Sequence, residues 1–272
     1  MRSNQVNQPR AILCMDFDGT LIDHDVHIHP RDVEILSAFP KHIQLVMTTG
    51  RNLGSVKSIF QEHGLFTGLP FPLPGVFMNG GLTYQPGEVI CHIHPFSHQA
   101  RQAVINLAVS FSKTAFTFFG IDRVYLVNPN PFGREIGQIH HLTLQETDPA
   151  GLPGVIIKVM VLEPDPQMMK QVKQGSRRLP VTMATSLPYT YEINPLGINK
   201  ASSLKSLLKT LNLEDIPIHV AGDAENDLTL FSMAHTSFAP TTSHPKALEH
   251  ADQLIPRDED GLLAPILNQI NL

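Results

Sequence analysis

Continuous apolar runs alternate with amphipathic segments in the first third of the chain. Strands are predicted at residues 11–16, 43–50 and 74–81, where apolar residues follow one another without alternation, as in strands buried on both faces. Helices are predicted at residues 29–40 and 51–64, where apolar side chains recur at roughly helical spacing. This order predicts a βαβαβ unit, in which a parallel sheet is built through right-handed crossovers.

The middle of the chain has more hairpin and turn signals than its flanks. Pro86-Gly87 marks the turn of a predicted hairpin over residues 82–95, and residues 115–127 favour two strands around a turn. Residues 128–154 are rich in Pro, Gly and Asn and are expected to form a loop. The other elements expected in this stretch are a helix over 97–113, a strand over 154–164, a helix over 166–179 and a strand pair over 181–195. An α+β domain is therefore expected here.

Helix and strand alternate again from about residue 196. The predicted elements are a helix over 197–213, a strand over 216–227, a short helix over 227–234 and a closing segment over 258–270. The sequence therefore predicts an α/β fold, with a Rossmann-like, doubly wound parallel sheet as its core and an α+β domain inserted into it. The expected divisions are residues 1–84 for the first part of the core, 85–190 for the insertion and 191–272 for the second part of the core.

Composition and charge argue against several classes of function. The formal net charge is −5 at pH 7 and no basic tract reverses it, which argues against nucleic acid as a partner. No apolar run approaches the roughly 18 residues of a membrane span, and the polar N-terminus lacks a signal-peptide core. Cys14 and Cys91 do not make a disulfide framework. We therefore expect a cytoplasmic protein, a monomer by default, without nucleic-acid or membrane partners.

Polar residues gather where the predicted strands end. They are Asp16 and Asp18 after the first strand, Thr48 and Thr49 after the second, Asn79 after the third, and Asp223, Asn226 and Asp227 after the strand over 216–227. Lys200 begins a helix on the same side. Because the carboxyl ends of strands in an open parallel sheet form the crevice where ligands bind, these groups are expected to meet there.

Several carboxylates at one edge would repel and raise one another's pKa unless a cation is present. Mg²⁺ commonly takes a few carboxylates together with waters and phosphate oxygens. Lys200 adds a positive charge, while threonine hydroxyl and backbone N–H groups add neutral donors. Such a site suits phosphoryl transfer, in which one aspartate acts as the nucleophile and a second carboxyl acts as general acid and then base.

Four short motifs resemble, in order and spacing, those of the haloacid dehalogenase (HAD) superfamily. They are DFDGT at 16–20, TTGR at 48–51, the lysine of GINKASSL at 197–204, and GDAEND at 222–227. The insertion lies between the second and third motifs, which resembles the Cof-type, class IIB branch, whose caps are α/β modules. The resemblance spans nearly the whole chain and implies that the inserted α+β domain is a cap.

The resemblance implies a role for each motif residue. Asp16 would be the nucleophile and a Mg²⁺ ligand, and Asp18 the general acid and base, with its backbone carbonyl on Mg²⁺. Asp223 would be the remaining protein ligand of Mg²⁺, and Asp227 would orient the metal site or Lys200. The expected catalytic set is Asp16, Asp18, Thr49 and Lys200. The residues expected to hold the phosphoryl oxygens are Phe17, Thr49, Gly50, Lys200 and Asn226.

Three further positions bear on the substrate entrance and on the outer hydrogen bonds of the site. Asn79-Gly80 matches the Asn-Gly pair at the cap entrance in this branch, with a plain turn residue as the alternative. Arg51 is a second candidate at the substrate entrance, with a structural or rim ion pair as the alternative. Ala224 stands where relatives often have serine, which affects an outer hydrogen bond and spares every expected ligand.

The sequence therefore predicts a Mg²⁺-dependent phosphatase that hydrolyses a small phosphorylated metabolite, with a sugar phosphate as the favoured class, through an aspartyl-phosphate. One alternative is a sugar phosphomutase on the same scaffold, which would require a bisphosphate activator. A different class is a non-catalytic protein that binds a phosphorylated ligand. The presence of both Asp16 and Asp18 argues against a purely binding role, since binding has no need of a nucleophile and an acid together.

Overall fold

The computed structural model describes residues 8–23, 25–68, 70–87, 89–185 and 189–270. The strands are β1 (Ala11–Asp16), β2 (Ile43–Thr48), β3 (Gly75–Phe77), β4 (Leu82–Gln85), β5 (Val89–Ile93), β6 (Ala115–Phe119), β7 (Val124–Val127), β8 (Leu144–Glu146), β9 (Lys158–Leu162), β10 (Val181–Ala184), β11 (Thr190–Pro195), β12 (Ile218–Ala221), β13 (Thr236–Pro240) and β14 (Gln253–Ile255). The helices are α1 (Pro30–Ser37), α2 (Leu53–Glu62), α3 (His98–Ser110), α4 (Pro131–Ile139), α5 (Pro166–Ser176), α6 (Lys200–Thr210), α7 (Leu228–Phe231), α8 (Pro245–His250) and α9 (Leu263–Ile270). None of the helices in these described ranges is long and apolar enough to cross a membrane.

The core sheet runs in the order β14-β13-β12-β1-β2-β3-β4-β5 within the described residues. Neighbours from β14 to β3 pair in parallel, and β4 and β5 add an antiparallel edge. The chain winds from β1 through β2 to β3 and later returns to β12 on the other side of β1. Strand order therefore reverses between β1 and β12, the place where open α/β sheets bind ligands. The predicted doubly wound core with an insertion is confirmed.

The central strand β1 is buried on both faces, as its unbroken apolar run predicts. Ile12 and Cys14 belong to one apolar cluster with residues of α6, whereas Leu13 and Met15 belong to the cluster on the opposite face. Alternate side chains of a strand point to opposite faces, so an all-apolar strand packs two layers at once.

The insertion forms a second sheet in the order β10-β11-β9-β6-β7-β8 among the described residues. One face carries α3 and α5, with Phe116, Phe118 and Val159 in the shared apolar cluster. The opposite face carries Phe119 and Met160, which pack within the apolar cluster of the core domain. The cap therefore lies against the core through one face of its sheet.

The loop expected over residues 128–154 is wrong in part, because it contains α4 and β8. Pro131 and two glycines argued for a loop on propensity. Pro131 instead occupies the first turn of α4. Asn130 caps this helix, because its Oδ1 accepts a hydrogen bond from the Gly133 N–H at 2.7 Å. A Cβ at Gly133 would lie 2.6 Å from Ala115 Cβ, and one at Gly137 would lie 2.3 Å from Leu144 Cδ1. The glycines therefore permit close packing, which outweighs their low helix propensity.

Two strands fall on the other side of the expected domain divisions. β5 pairs with β4 at the edge of the core sheet, and β11 pairs with β9 and β10 in the cap sheet. The division of the chain stays a prediction, and sheet membership supports boundaries after β5 and after β11. No expectation covered β13 and β14, which complete the core sheet at its other edge, or the helix α8 between them.

Asp32 of α1 binds the start of α9, although the two helices lie far apart in the sequence. Its carboxylate is buried and accepts hydrogen bonds from the Leu262 N–H at 3.0 Å and the Leu263 N–H at 2.8 Å. A helix begins with N–H groups that have no partner inside the helix. Asp32 satisfies two of these donors, so it fixes the closing helix on the core.

We expect Asp32→Ala to lower the free energy of unfolding by about 2–3 kcal/mol, because it leaves two buried N–H groups without an acceptor. Asp165→Ala is the matched control, since Asp165 is an exposed N-cap that accepts from the Gln167 N–H at 2.9 Å. Its loss is expected to cost about 1 kcal/mol. Urea unfolding measures both, and equal losses in the two variants would contradict the role given to Asp32.

Candidate active site

Asp16 is the last residue of β1 and lies buried at the carboxyl edge of the sheet, in register with Thr48 of β2. The loop that follows passes close to the end of β12. A Cβ at Gly19, whose φ is +75°, would lie 2.1 Å from Asp223 Oδ2. Glycine is therefore required at this position both by conformation and by space. The second residue of the pair, Asp18, is carried by the same turn but has a half-exposed side chain.

Lys200 supplies a buried positive charge to the acidic edge. It is the first residue of α6, whose start is capped by Asn199 and Ser202 through reciprocal hydrogen bonds. Its Nζ donates to Asp16 Oδ1 at 2.5 Å and to Asp227 Oδ1 at 2.8 Å. Burial alone would lower the pKa of Lys200, but the carboxylates of Asp16 and Asp227 outweigh burial and raise it. Lys200 is therefore held as a cation between two carboxylates.

Asp227 holds the loop after β12 and orients Lys200. Its Oδ2 accepts from the backbone N–H groups of Asp223 at 3.1 Å and Ala224 at 3.2 Å, while its Oδ1 faces Lys200. The carboxylate is fully buried in a short 3₁₀ turn over Glu225–Asp227. Both oxygens are therefore engaged, which agrees with the orienting role expected for Asp227.

Carboxylate oxygens of Asp16, Asp223 and Asp227 all lie within 4.8 Å of one another. The pKa of Asp16 is raised by burial, which outweighs the opposing charge of Lys200. Burial, and then the charge of Asp227, raises the pKa of Asp223 to about 7. Such crowding of hard oxygen donors in a buried site is what a small divalent cation relieves. The donor set therefore fits Mg²⁺, with Asp16 and Asp223 better placed as ligands than Asp227.

Arg51 forms an ion pair with Asp18. Its Nε donates to Asp18 Oδ1 at 2.8 Å and Oδ2 at 3.0 Å, and its guanidinium is buried. The same guanidinium contacts Ser55 Oγ at 3.1 Å and the His140 carbonyl of the cap at 3.4 Å. Arg51 therefore orients Asp18 and joins the core to the cap, which supports the ion-pair interpretation of this residue.

Thr49 and Gly50 lie in the turn after β2, and Asn79 lies in the turn after β3 beside it. Thr49 Oγ1 accepts from the Arg51 N–H at 3.0 Å, and the Asn79 N–H donates to the Thr49 carbonyl at 3.0 Å. Asn79 has φ 53° and ψ 31°, a left-handed conformation that Asn tolerates well. Asn226 reaches this turn from the loop after β12, and its Nδ2 donates to Asn79 Oδ1 at 3.3 Å. Asn79 thus links the fourth motif, through Asn226, to the second motif, through the Thr49 carbonyl.

A cavity of about 220 Å³ lies between the core and the cap. Its core side includes Asp16, Asp18, Gly50, Arg51, Asp223 and Asn226. Its cap side includes Phe119, Ile139, His140, Leu142, Lys158, Met160, Tyr189 and Glu192. Phe17 does not lie on this wall, because its side chain is fully buried and packs edge-on against Phe60. A phosphoryl contact from Phe17 would therefore come from its backbone.

Sequence reasoning missed the polar cap residues of this cavity. Lys158 and Glu192 are buried charges on β9 and β11, and His140 ends α4. Burial, and then the charge of Arg51, lowers the pKa of His140 to about 4, so its imidazole is neutral at neutral pH. Lys158 interrupts an apolar run and Glu192 stands between Tyr191 and Ile193, and a charge in such a position was the signal available in the sequence.

The fold and site define the class of capped, Rossmann-like α/β hydrolases. The chain belongs to the haloacid dehalogenase-like hydrolase family, whose sequence profile matches residues 13–266. The resemblance drawn from the four motifs is thereby confirmed.

Relatives and solved structures agree with this assignment. The chain is 27% identical to phosphoglycolate phosphatase of Natronomonas pharaonis over 89% of each protein. It is 25% identical to an uncharacterised hydrolase of Schizosaccharomyces pombe, over 96% of this chain and 90% of that protein. A haloacid dehalogenase-like hydrolase from Bacteroides thetaiotaomicron has the same fold, with a TM-score of 0.80, 21% identity, and coverage of 97% of this chain and 100% of that one. The structure of a subclass IIB sugar phosphatase of the HAD superfamily has a TM-score of 0.78 and 16% identity, with coverage of 96% of this chain and 98% of that one.

Lys200→Met is expected to destabilise the protein more at pH 8 than at pH 5. Without the cation, buried carboxylates are left uncompensated, which costs about 3–5 kcal/mol when they are ionised. The folded-state pKa values of Asp16 and Asp223 already lie above their ordinary values and would rise further. These groups take up protons as the pH falls through those values, so the penalty is largest above about 7 and shrinks toward pH 5.

Guanidinium unfolding in EDTA at the two pH values measures this effect. Lys209→Met is the matched control, because Lys209 lies exposed in the last turn of the same helix. A loss of stability in Lys200→Met that does not depend on pH would contradict the charge-balancing role of Lys200.

Proposed function

We propose that the protein is a Mg²⁺-dependent phosphatase that hydrolyses a small phosphorylated metabolite through an aspartyl-phosphate on Asp16. The observation that carries this proposal is the position of Asp16. It lies at the wall of a cavity closed by the cap, and the buried ammonium group of Lys200 is bonded to one of its oxygens. Lys200 Nζ bonds Asp16 Oδ1, which fixes the carboxylate and leaves Oδ2 as the attacking atom. An aspartate held in this way suits nucleophilic attack on phosphorus.

Asp18 is placed to handle the proton of the leaving oxygen. It lines the same cavity two residues after the nucleophile, and Arg51 holds both of its oxygens. In the first step Asp18 protonates the leaving oxygen as the P–O bond breaks and a bond to Asp16 forms. In the second step it takes a proton from a water that attacks phosphorus, which releases phosphate and frees Asp16.

Asp16 and Asp223 would hold Mg²⁺, together with the backbone carbonyl of Asp18. When bound, the cation neutralises negative charge on the transferring phosphoryl group. The residues of the chain supply the remaining stabilisation: Lys200 near Asp16, the Gly50 N–H in the turn after β2, and the Asn226 side chain in the loop after β12. Phosphoryl transfer is governed by such positioning and charge stabilisation.

The size and composition of the cavity support a small substrate. A volume of about 220 Å³ falls below the roughly 300–1,000 Å³ typical of drug-sized ligands. Phe119, Leu142 and Met160 give the cap side an apolar wall, while Lys158 and Glu192 add polar groups. A compact leaving group with hydroxyls and a carbon face fits such a wall, as a sugar has. The relatives named as a phosphoglycolate phosphatase and a sugar phosphatase support the same size class.

Asp16→Asn is expected to lower Mg²⁺-dependent phosphate release by at least about a thousand-fold, because the amide is a poor nucleophile for phosphorus. The assay uses a panel of phosphorylated sugars, nucleotides and small acids, with Mg²⁺ and with EDTA. Asp215→Asn is the control, since Asp215 is exposed in the loop before β12.

The outcomes separate the proposed function from its alternatives. Turnover that survives in Asp16→Asn with Mg²⁺ present would remove Asp16 as the nucleophile. Absence of phosphate release from every compound by the folded wild type would refute the phosphatase. Activity that then appears on addition of a sugar bisphosphate would identify a mutase, and binding without turnover would identify a phospho-ligand binding protein.

A further inference from the structure

Lys158 and Glu192 form a buried ion pair in the cap sheet. They lie on the neighbouring strands β9 and β11, where Glu192 is in register with Met160, so both charges share the face turned to the core. The side chains are 2% and 5% exposed. Burying two charges carries a desolvation penalty that apolar residues of similar volume avoid. The stability of the cap therefore does not account for this pair.

The pair makes its other contacts with the core. Lys158 Nζ donates to the Gly50 carbonyl at 2.8 Å, and Glu192 Oε2 accepts from Asn79 Nδ2 at 2.5 Å. Lys158 also donates to Glu192 Oε1, so the two side chains act as one unit. Both core partners belong to the turns that follow β2 and β3, next to the acidic residues that follow β1 and β12. The ion pair therefore binds the core where the phosphoryl group is expected.

The contacts continue from Asn79 to Asn226. The Asn79 amide donates to Glu192 through Nδ2 and accepts from Asn226 through Oδ1 at 3.3 Å. Because both ends of the Asn79 amide are bonded, its plane is fixed. Glu192 of the cap therefore orients Asn79, and Asn79 in turn orients Asn226. Among the described residues, Asn226 Oδ1 is buried without a hydrogen-bond partner.

Gly50 lies between the side chains of Asn79, Glu192 and Lys158. A Cβ at this position would lie 3.2 Å from Asn79 Oδ1, 3.3 Å from Glu192 Oε1 and 3.4 Å from Lys158 Nζ. The three side chains thus surround Gly50 at close range, and the hydrogen bond from Lys158 holds its carbonyl. The carbonyl of Gly50 and the N–H of Arg51 share one peptide plane, so this bond also fixes the turn that carries Thr49.

We propose that Lys158 and Glu192 are positioning residues that orient Gly50, Asn79 and Asn226 for the transferring phosphoryl group when the cap is seated. This inference rests on the proposed phosphatase function. The two residues act through the core turns rather than on the reacting atoms, so the cap contributes to the rate of phosphoryl transfer as well as to substrate selection. Loss of Glu192 should therefore weaken transition-state stabilisation more than binding of the leaving group.

Glu192→Gln tests the inference with little change of shape. We expect kcat for phosphate release to fall about ten-fold or more, while KM changes less than about three-fold, as for an interaction made chiefly in the transition state. Vanadate with Mg²⁺, a probe that mimics the five-coordinate phosphoryl group, should bind about ten-fold more weakly by calorimetry. Glu146→Gln is the matched control, because Glu146 pairs with Arg134 on the exposed surface of the same cap and is expected to leave all three quantities unchanged.

A double-variant cycle identifies the path of the effect. Asn79→Gly keeps the left-handed backbone and removes the amide through which Glu192 acts. In that background Glu192→Gln should lower kcat by a smaller factor than in the wild-type background, because the contact of Glu192 with Asn79 is already missing while that of Lys158 with Gly50 remains. Asn79→Gly removes the same contact from the core side. If Glu192→Gln folds poorly, kcat and vanadate affinity of Asn79→Gly therefore test the contact instead.

The outcomes distinguish this inference from the proposed function. Normal kcat and vanadate affinity in Glu192→Gln, a rise in KM alone, or additive losses in the cycle would overturn the positioning role and leave the phosphatase standing. Weakened vanadate binding in Glu192→Gln, with no phosphate release by the wild type from any compound, would support the positioning role and refute hydrolysis. A wild type that neither binds vanadate nor releases phosphate would refute both.

Discussion

The buried contact of Lys200 with Asp16 and Asp227 is the interaction on which the rest of the site depends. Carboxylates placed together at the end of a buried strand would take up protons, as the raised pKa values of Asp16 and Asp223 show. Lys200 offsets part of this charge from a helix start that is itself capped. Its cation lowers part of the cost of ionising buried Asp16, the proposed nucleophile, and a divalent cation would offset the negative charge that remains.

The fold supplies the geometry for this balance of charge. The reversal of strand order between β1 and β12 brings Asp16 beside the loop of Asp223 and Asp227, although more than two hundred residues separate them in sequence. Gly19 permits the close approach of the two loops. A parallel sheet thus gathers short polar segments from distant parts of the chain at one edge, while the apolar residues of its strands stay buried in the core.

Much of this arrangement could be predicted from the sequence, because its signals are local. Unbroken apolar runs marked β1 and β2, and the polar residues after them marked the edge. The α4 helix could not be predicted, since its glycines follow from packing against Ala115 and Leu144, which propensity does not register. Lys158 and Glu192 were missed for a related reason: their partners, Gly50 and Asn79, lie on another domain, and one sequence does not show pairings between domains.

The cap contacts differ in kind from the interior contacts of the core. Arg51 holds Asp18 and the His140 carbonyl with one guanidinium, while Lys158 and Glu192 hold Gly50 and Asn79 with one ion pair. Each contact joins a cap strand or helix end to a core turn that carries a group expected to act on the phosphoryl group. Charge-assisted hydrogen bonds are shorter and stronger than neutral ones, and the bonds from Arg51 Nε to both oxygens of Asp18 add geometric specificity. An arrangement of this kind would couple the seated cap to the proposed phosphoryl transfer, since a closed cap would also shield the substrate from bulk water.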